Sequence, residues 1–223
     1  MPSIVVHHLE RSRSHRVLWL LEELEAPYEL VTYRRHPKTS RAPDALRRIH
    51  PLGRAPIVEL DGRVLAESGA ILETLAESLG DGALIPERGT EAFARHRYFM
   101  HFAEGSMMTP LIVQLVAGRV RSAPVPFPLK PVTKSIASKI EAGYSGPEIA
   151  NHLAFLDGEL RDRELICGEA FGVADVQMSY PIEAALARGR GEAPNVRRYL
   201  ERLRARPAYQ RAVEKGGPVL LGT

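Results

Sequence analysis

Residues 3–33 read SIVVHHLERSRSHRVLWLLEELEAPYELVTY, and the order of patterns within them decides the architecture. Ile4, Val5 and Val6 form a short β-branched run suited to a buried strand. Val17, Leu20, Leu21 and Leu24 follow at i, i+3, i+4 and i+7, the spacing of an amphipathic helix. Ala26-Pro27 ends that helix, and Tyr28–Tyr33 alternates as a second strand. The stretch is therefore a βαβ unit, with a short polar loop between the first strand and the helix.

Working outward, Arg34–Pro43 is polar, carries two prolines and reads as a loop. Asp44–Ile49 suits a short helix stopped by Pro51. Ile57–Leu60 and Val64–Ala66 flank Asp61-Gly62, a hairpin turn signal. Glu67–Leu79 returns to helical spacing through Ile71, Leu72, Leu75 and Leu79. After Gly80 the pattern changes. Ala92–Arg121 reads as one long helix with Pro110 as its bend, and a proline-rich break follows between Pro124 and Pro131. Further helices are expected over Val132–Ala142, Glu148–Leu160, Val173–Ala187 and Val196–Arg206. The expectation is an α/β domain at 1–80, a linker at 81–90 and an all-helical domain at 91–223.

Composition excludes several classes. The chain has 223 residues, 44% apolar and 26% charged, as a soluble globular protein has. Its one cysteine, Cys167, excludes an internal disulfide and a Cys-based zinc site. Residues 1–80 hold 11 basic and 11 acidic side chains, so the net charge of +3 comes from the rest. Such a balance does not suit a nucleic-acid binder. No apolar run of 18 residues offers a membrane span, and charges and histidines within the first dozen residues do not suit a secretory leader. A cytoplasmic location follows as an expectation. His7 and His8 are neighbours on a strand and point to opposite faces, and His96 and His101 are five apart on a helix. Neither pair suits one metal ion.

Three short stretches can carry chemistry. Ser12 and Ser14 stand where the first helix needs a cap, and a helix N-terminus also stabilises an adjacent anion. In His50-Pro51-Leu52-Gly53-Arg54-Ala55-Pro56-Ile57 a proline immediately precedes a β-branched strand, a setting that suits a cis bond. Glu67 and Ser68 open the helix after the hairpin and can hold the ammonium and carboxylate of an amino acid together. Capping or ordinary strand geometry explains each stretch alone. Their order in one βαβ–αββα unit followed by helices is the specific signal.

On SRSHRVLWLLEELEAPYE, HPLGRAPIVELDG and LAESGAILETLAE, the chain resembles the cytosolic glutathione transferases, closest to a serine-type bacterial and fungal branch with the pattern SRSxRVLWLLEEL. Phe171-Gly172-Val173-Ala174-Asp175 resembles that family's buried folding motif, with Gly172 in place of the usual hydroxyl residue. The resemblance implies a thioredoxin-like glutathione-binding domain joined to an all-α helical bundle, and a homodimer. It makes Ser12 the catalytic serine and Pro56 a cis proline. Ala55 would offer its backbone to the cysteinyl part of glutathione. Glu67 and Ser68 would bind the γ-glutamyl group, with Arg54 and Arg41 facing the glycine carboxylate.

The implied partners are glutathione as co-substrate and a hydrophobic electrophile, with no metal, nucleic acid or membrane. The implied role is detoxification by conjugation, with peroxidase turnover as a second activity. Ser14 rivals Ser12 as thiolate donor, and Arg13, His7 or His8 can contribute. Tyr98, His101, Phe102, Met107, Met108 and Phe127 are candidate walls for the acceptor. The competing class is a non-catalytic glutathione- or ligand-binding protein of the same fold. Ser12, Pro56, Glu67 and Ser68 occurring together favour the enzyme.

Overall fold

The computed structural model describes residues 2–188 and 192–220. Strands β1 (Ile4–Leu9), β2 (Glu29–Tyr33), β3 (Ile57–Leu60) and β4 (Arg63–Ala66) form one sheet in the order β2-β1-β3-β4. β1 and β2 are parallel around helix α1 (His15–Glu23), as a βαβ crossover requires. β3 runs antiparallel to both β1 and β4. Asp61 and Gly62 take φ of 48° and 79°, the left-handed pair that a two-residue hairpin turn needs. Helix α2 (Ser68–Leu79) packs beside α1.

Helices α3 (Glu91–Phe102) to α9 make up the rest. The long helix expected over Ala92–Arg121 exists, but its irregularity lies before Pro110. A π-helical turn, Ala103–Met107, joins α3 to α4 (Met108–Arg121). Pro110 has no N–H to give, and its ring crowds the carbonyl four residues back, which explains a ladder that slips just upstream. The two helices expected around residue 145 are also one run: a second π turn, Glu141–Ser145, links α5 (Lys130–Ile140) to α6 (Gly146–Glu159). Then come α7 (Val173–Arg188), α8 (Pro194–Arg204) and α9 (Pro207–Gly216), the last unforeseen.

One apolar cluster runs through both halves of the chain. Its junction is α1, in which every side chain from His15 to Glu22 is buried. The amphipathic stripe expected for α1 is therefore only half of the account. One face meets the sheet and the other meets α9, where Trp19 lies edge-to-face on Tyr209 with ring centroids 5.1 Å apart. Glu22 on this covered face is satisfied by Arg211, Lys215 and Tyr28.

The folding motif is assembled as its resemblance implies. Asp175 accepts from the backbone N–H of Gly172 (2.9 Å) and Ile166 (3.0 Å), and from the Tyr199 hydroxyl (2.8 Å). Gly172 has its own reason. A Cβ there would lie 2.7 Å from the Leu84 carbonyl oxygen, which accepts from Val173 N–H.

Candidate active site

The loop after β1 winds directly into α1. The first turn closes when His15 N–H donates to the Ser12 carbonyl, followed by Arg16 to Arg13 and Val17 to Ser14. Ser12 and Ser14 thus sit at the positive end of the helix. Neither is a simple side-chain cap of α1. Ser12 Oγ accepts from Ser14 N–H at 3.2 Å and lies 2.7 Å from Ser14 Oγ. Ser14 Oγ turns inward to His8 Nδ1 (2.9 Å) and to the Leu9 backbone. Ser12 keeps 5% of its surface exposed, whereas Ser14 keeps none, so of the two only Ser12 can meet a ligand.

Beside this loop a cleft of about 140 Å³ is lined by Arg13, His50, Leu52, Arg54, Ala55, Pro56 and Ala66–Ser68. The Ala55–Pro56 bond is cis. Glu67 has φ of 70°, in the left-handed region that a non-glycine residue seldom adopts, and its carbonyl starts α2 by accepting from Ile71 N–H. Ser68, the first residue of α2, is buried, while Glu67 and Arg54 are exposed. The cleft therefore brings Arg54, Ala55, Pro56, Glu67 and Ser68 together. Arg41 is exposed in the loop before the Asp44–Arg48 turn, outside the residues lining the cleft. Ser12 is not among the lining residues either; its neighbour Arg13 is.

The helical half contributes a group that the sequence reading missed. Glu104, in the first π turn, accepts from Arg13 Nη1 at 2.6 Å and from Arg16 Nη2 at 2.7 Å. Arg16 is completely buried, and its other guanidinium nitrogen donates to the Gln177 carbonyl at 2.8 Å. Burial alone would raise the Glu104 carboxyl, but Arg16 and Arg13 hold it below the ordinary carboxylate range. The carboxylate thereby ties the serine loop to α3–α4. A signal existed: Glu104 is the only acidic residue between Glu91 and Glu141.

Two parts of the chain match family models. Residues 12–78 match the glutathione S-transferase N-terminal domain, and residues 124–207 match the C-terminal domain. Glutathione S-transferase 1 of Saccharomyces cerevisiae is 32% identical, with 96% of each chain covered. The chain belongs to the glutathione S-transferase family. Glutathione S-transferase 3 of Schizosaccharomyces pombe is 36% identical over 95% of this chain and 87% of its own. A solved glutathione S-transferase from Actinobacillus pleuropneumoniae superposes with a TM-score of 0.75 at 29% identity, covering 96% of this chain and 92% of its own. A theta class glutathione S-transferase from Xanthomonas axonopodis pv. citri, solved with glutathione bound, gives 0.71 at 25% identity, covering 96% and 98%.

In this glutathione S-transferase the expected acceptor walls divide. Phe102, Met107 and Met108 are core residues, while Tyr98 and His101 are exposed and Phe127 is 83% exposed. The reading missed Ile112, Leu115 and Val116, which leave an exposed apolar face on α4 at i, i+3 and i+4. Their signal was the run Leu111-Ile112-Val113-Gln114-Leu115-Val116, too apolar for a helix covered on one side only. Cys167 is half-buried, and burial, with Asp175 adding to it, pushes its thiol up to about 12, as suits a packing role. Among the described residues, no group of three or more His, Cys, Asp or Glu is gathered as for a metal ion, and no helix is long and apolar enough to cross a membrane.

Proposed function

We propose that this glutathione transferase ionises the glutathione thiol against the Ser12 hydroxyl. The observation that carries the reading is placement: Ser12, buried but for 5% of its surface, stands at the head of α1 next to Arg13 of the cleft lining, whereas Ser14 is fully enclosed. Ser68 and the strained Glu67 hold the γ-glutamyl group. The Ala55 backbone before cis Pro56 pairs with the cysteinyl unit. Arg54 faces the glycine carboxylate, and Arg41 is the second basic group that the resemblance assigns to it. Residues 1–80 are the glutathione-binding domain, 81–90 the linker, and 91–223 the helical domain that supplies the acceptor wall.

The energetics are sufficient without a strong base. A free thiol has a pKa of ~8.5, and lowering it by ~2 units takes about 2.7 kcal/mol of preferential thiolate stabilisation. One hydrogen bond to a charged acceptor supplies roughly 1.5–3 kcal/mol, and the helix end adds ~0.3–1. The thiolate then attacks a hydrophobic electrophile resting on the exposed face of α4, or reduces an organic hydroperoxide. The setting is detoxification in the cytoplasm by a homodimer, with the N-terminal domain of each subunit against the helical domain of the other.

Calorimetry with glutathione, combined with turnover of chlorodinitrobenzene and cumene hydroperoxide, tests the reading. Binding with turnover of either substrate is expected. Binding without turnover on a wide electrophile panel would make the protein a ligand carrier instead.

A further inference from the structure

The Ser12 hydroxyl is the outer end of a buried chain of hydrogen bonds. Ser12 Oγ lies 2.7 Å from Ser14 Oγ, Ser14 Oγ 2.9 Å from His8 Nδ1, and His8 Nε2 2.9 Å from the carbonyl of Gly216. The inner end fixes where the protons are. A carbonyl only accepts, so His8 Nε2 carries the ring proton. Burial lowers the His8 pKa against the raising pull of Gly216 and Glu10, which favours the neutral ring, the form in which Nδ1 is bare. Ser14 therefore donates to Nδ1, its nearest acceptor. Leu9 N–H fills one lone pair of Ser14 Oγ, and the Ser12 proton fills the other. With Ser14 N–H also donating to Ser12 Oγ, one lone pair of Ser12 is left for a thiol proton.

At rest, then, the Ser12 proton points inward, away from the place where a thiolate would need it. We propose that His8 is a positioning residue of the transferase that acts through Ser14, accepting the proton displaced along this chain when glutathione ionises. This rests on the reading of Ser12 given above. The thiol S–H bond breaks and its proton bonds to Ser12 Oγ, as the Ser12 proton moves to Ser14 Oγ and the Ser14 proton to His8 Nδ1. Each serine exchanges one O–H bond for another and stays neutral. Sulfur ends as thiolate, imidazole as imidazolium, and no electron leaves the system. The new Ser12 O–H bond points outward at the sulfur.

The helix end beside the ring suits this role, against the burial that disfavours the imidazolium. The Gly216 carbonyl closes α9, and a helix C-terminus favours a cation beside it. Gly216 is glycine for the same contact: a Cβ there would lie 2.5 Å from Leu18 Cδ1 and 3.3 Å from the His8 ring. Glu10, just past the end of β1, acts on His8, and His8 in turn acts on His15 of α1. Tyr33 of β2 and Glu59 of β3 engage His7 on the opposite face.

Three variants and one spectrum test the relay. In His8→Asn and in Ser14→Ala, the absorbance titration of bound thiolate should shift up by about one pKa unit. Turnover should fall about tenfold near neutral pH and recover in alkali, where the thiol ionises unaided. Affinity for S-methylglutathione should stay within about twofold of the parent, and the double variant should be no worse than either single. Effects that multiply, or that do not vary with pH, would overturn the proposal. Nitrogen NMR of the unmodified protein decides independently of whether the variants fold. His8 Nδ1 should change from bare to protonated on adding glutathione, and stay bare with S-methylglutathione. A bare Nδ1 beside a fully formed thiolate would refute the relay. Loss of the thiolate in Ser12→Ala but not in His8→Asn would remove this inference alone, whereas an intact thiolate in Ser12→Ala would remove the reading beneath it.

Discussion

Replacing Glu104 by glutamine keeps its size and removes its charge. Arg16, fully buried, then keeps its full positive charge among neutral groups: the carbonyls of Gln177 and Arg13, the Tyr180 ring and the new amide oxygen. At ~4 Å and an effective dielectric of ~20, the lost attraction is about 4 kcal/mol. Removing one partner of a buried pair costs about 3–5 kcal/mol, and with Glu104 about a third exposed the lower end applies, near 3 kcal/mol. The Arg13 arm of the same clasp is about as exposed as Glu104, so Arg13→Met should cost ~1 kcal/mol or less. Urea unfolding followed through Trp19, the sole tryptophan, reports on the α1–α9 junction. A cost below about 1 kcal/mol for Glu104→Gln, or a larger one for Arg13→Met, would refute the view that Arg16 is the charge this carboxylate exists to neutralise.

Three further outcomes follow from the packing. Burial, with His8 adding to it, pushes His15 down to about 3, so the unfolded chain takes up a proton near the ordinary 6.5 that the folded chain refuses. That stability is complete above the unfolded value and is lost as pH falls toward about 3, amounting to about 2 kcal/mol between pH 8 and 5. Urea midpoints for the parent and His15→Gln at the two pH values should show a smaller loss in the variant. Gly172→Ser should destabilise by about 1–3 kcal/mol despite restoring a capping hydroxyl, because its Cβ meets the Leu84 carbonyl; a rise in melting temperature would contradict this. Asp175→Ala leaves three donors without a partner at about 1–3 kcal/mol each, so soluble expression should fall sharply, with protease resistance as the measure.

Much of this molecule was legible in its sequence because the deciding signals are local. Asp61-Gly62 sets a turn by itself, and the βαβ order of residues 3–33 leaves few topologies. The Arg54–Pro56 and Glu67–Ser68 stretches meet because β3 and β4 are hairpin neighbours. What was missed depends on distant partners. Arg16 and Glu22 of α1 are satisfied by Glu104, Arg211 and Lys215, remote in sequence, so periodicity within α1 could not reveal its covered second face. The π turns come from a ladder slipping around prolines and packed neighbours, which hydrophobic spacing does not encode. Helix α9 did have signals, Pro207 at its first position and Gly217 just past its end. Arg41 lies in the long loop between β2 and the Asp44–Arg48 turn, where neither helical nor strand spacing fixes where a side chain goes.

The central claim is that one hydroxyl at the head of α1 holds the glutathione sulfur as an anion. Difference absorbance of the bound thiolate across pH, in the parent and in Ser12→Ala, tests it most directly. The account predicts similar affinity for glutathione in both and a thiol pKa raised by about 1–2 units in the variant, the worth of one charged hydrogen bond. Superimposable titrations would contradict it.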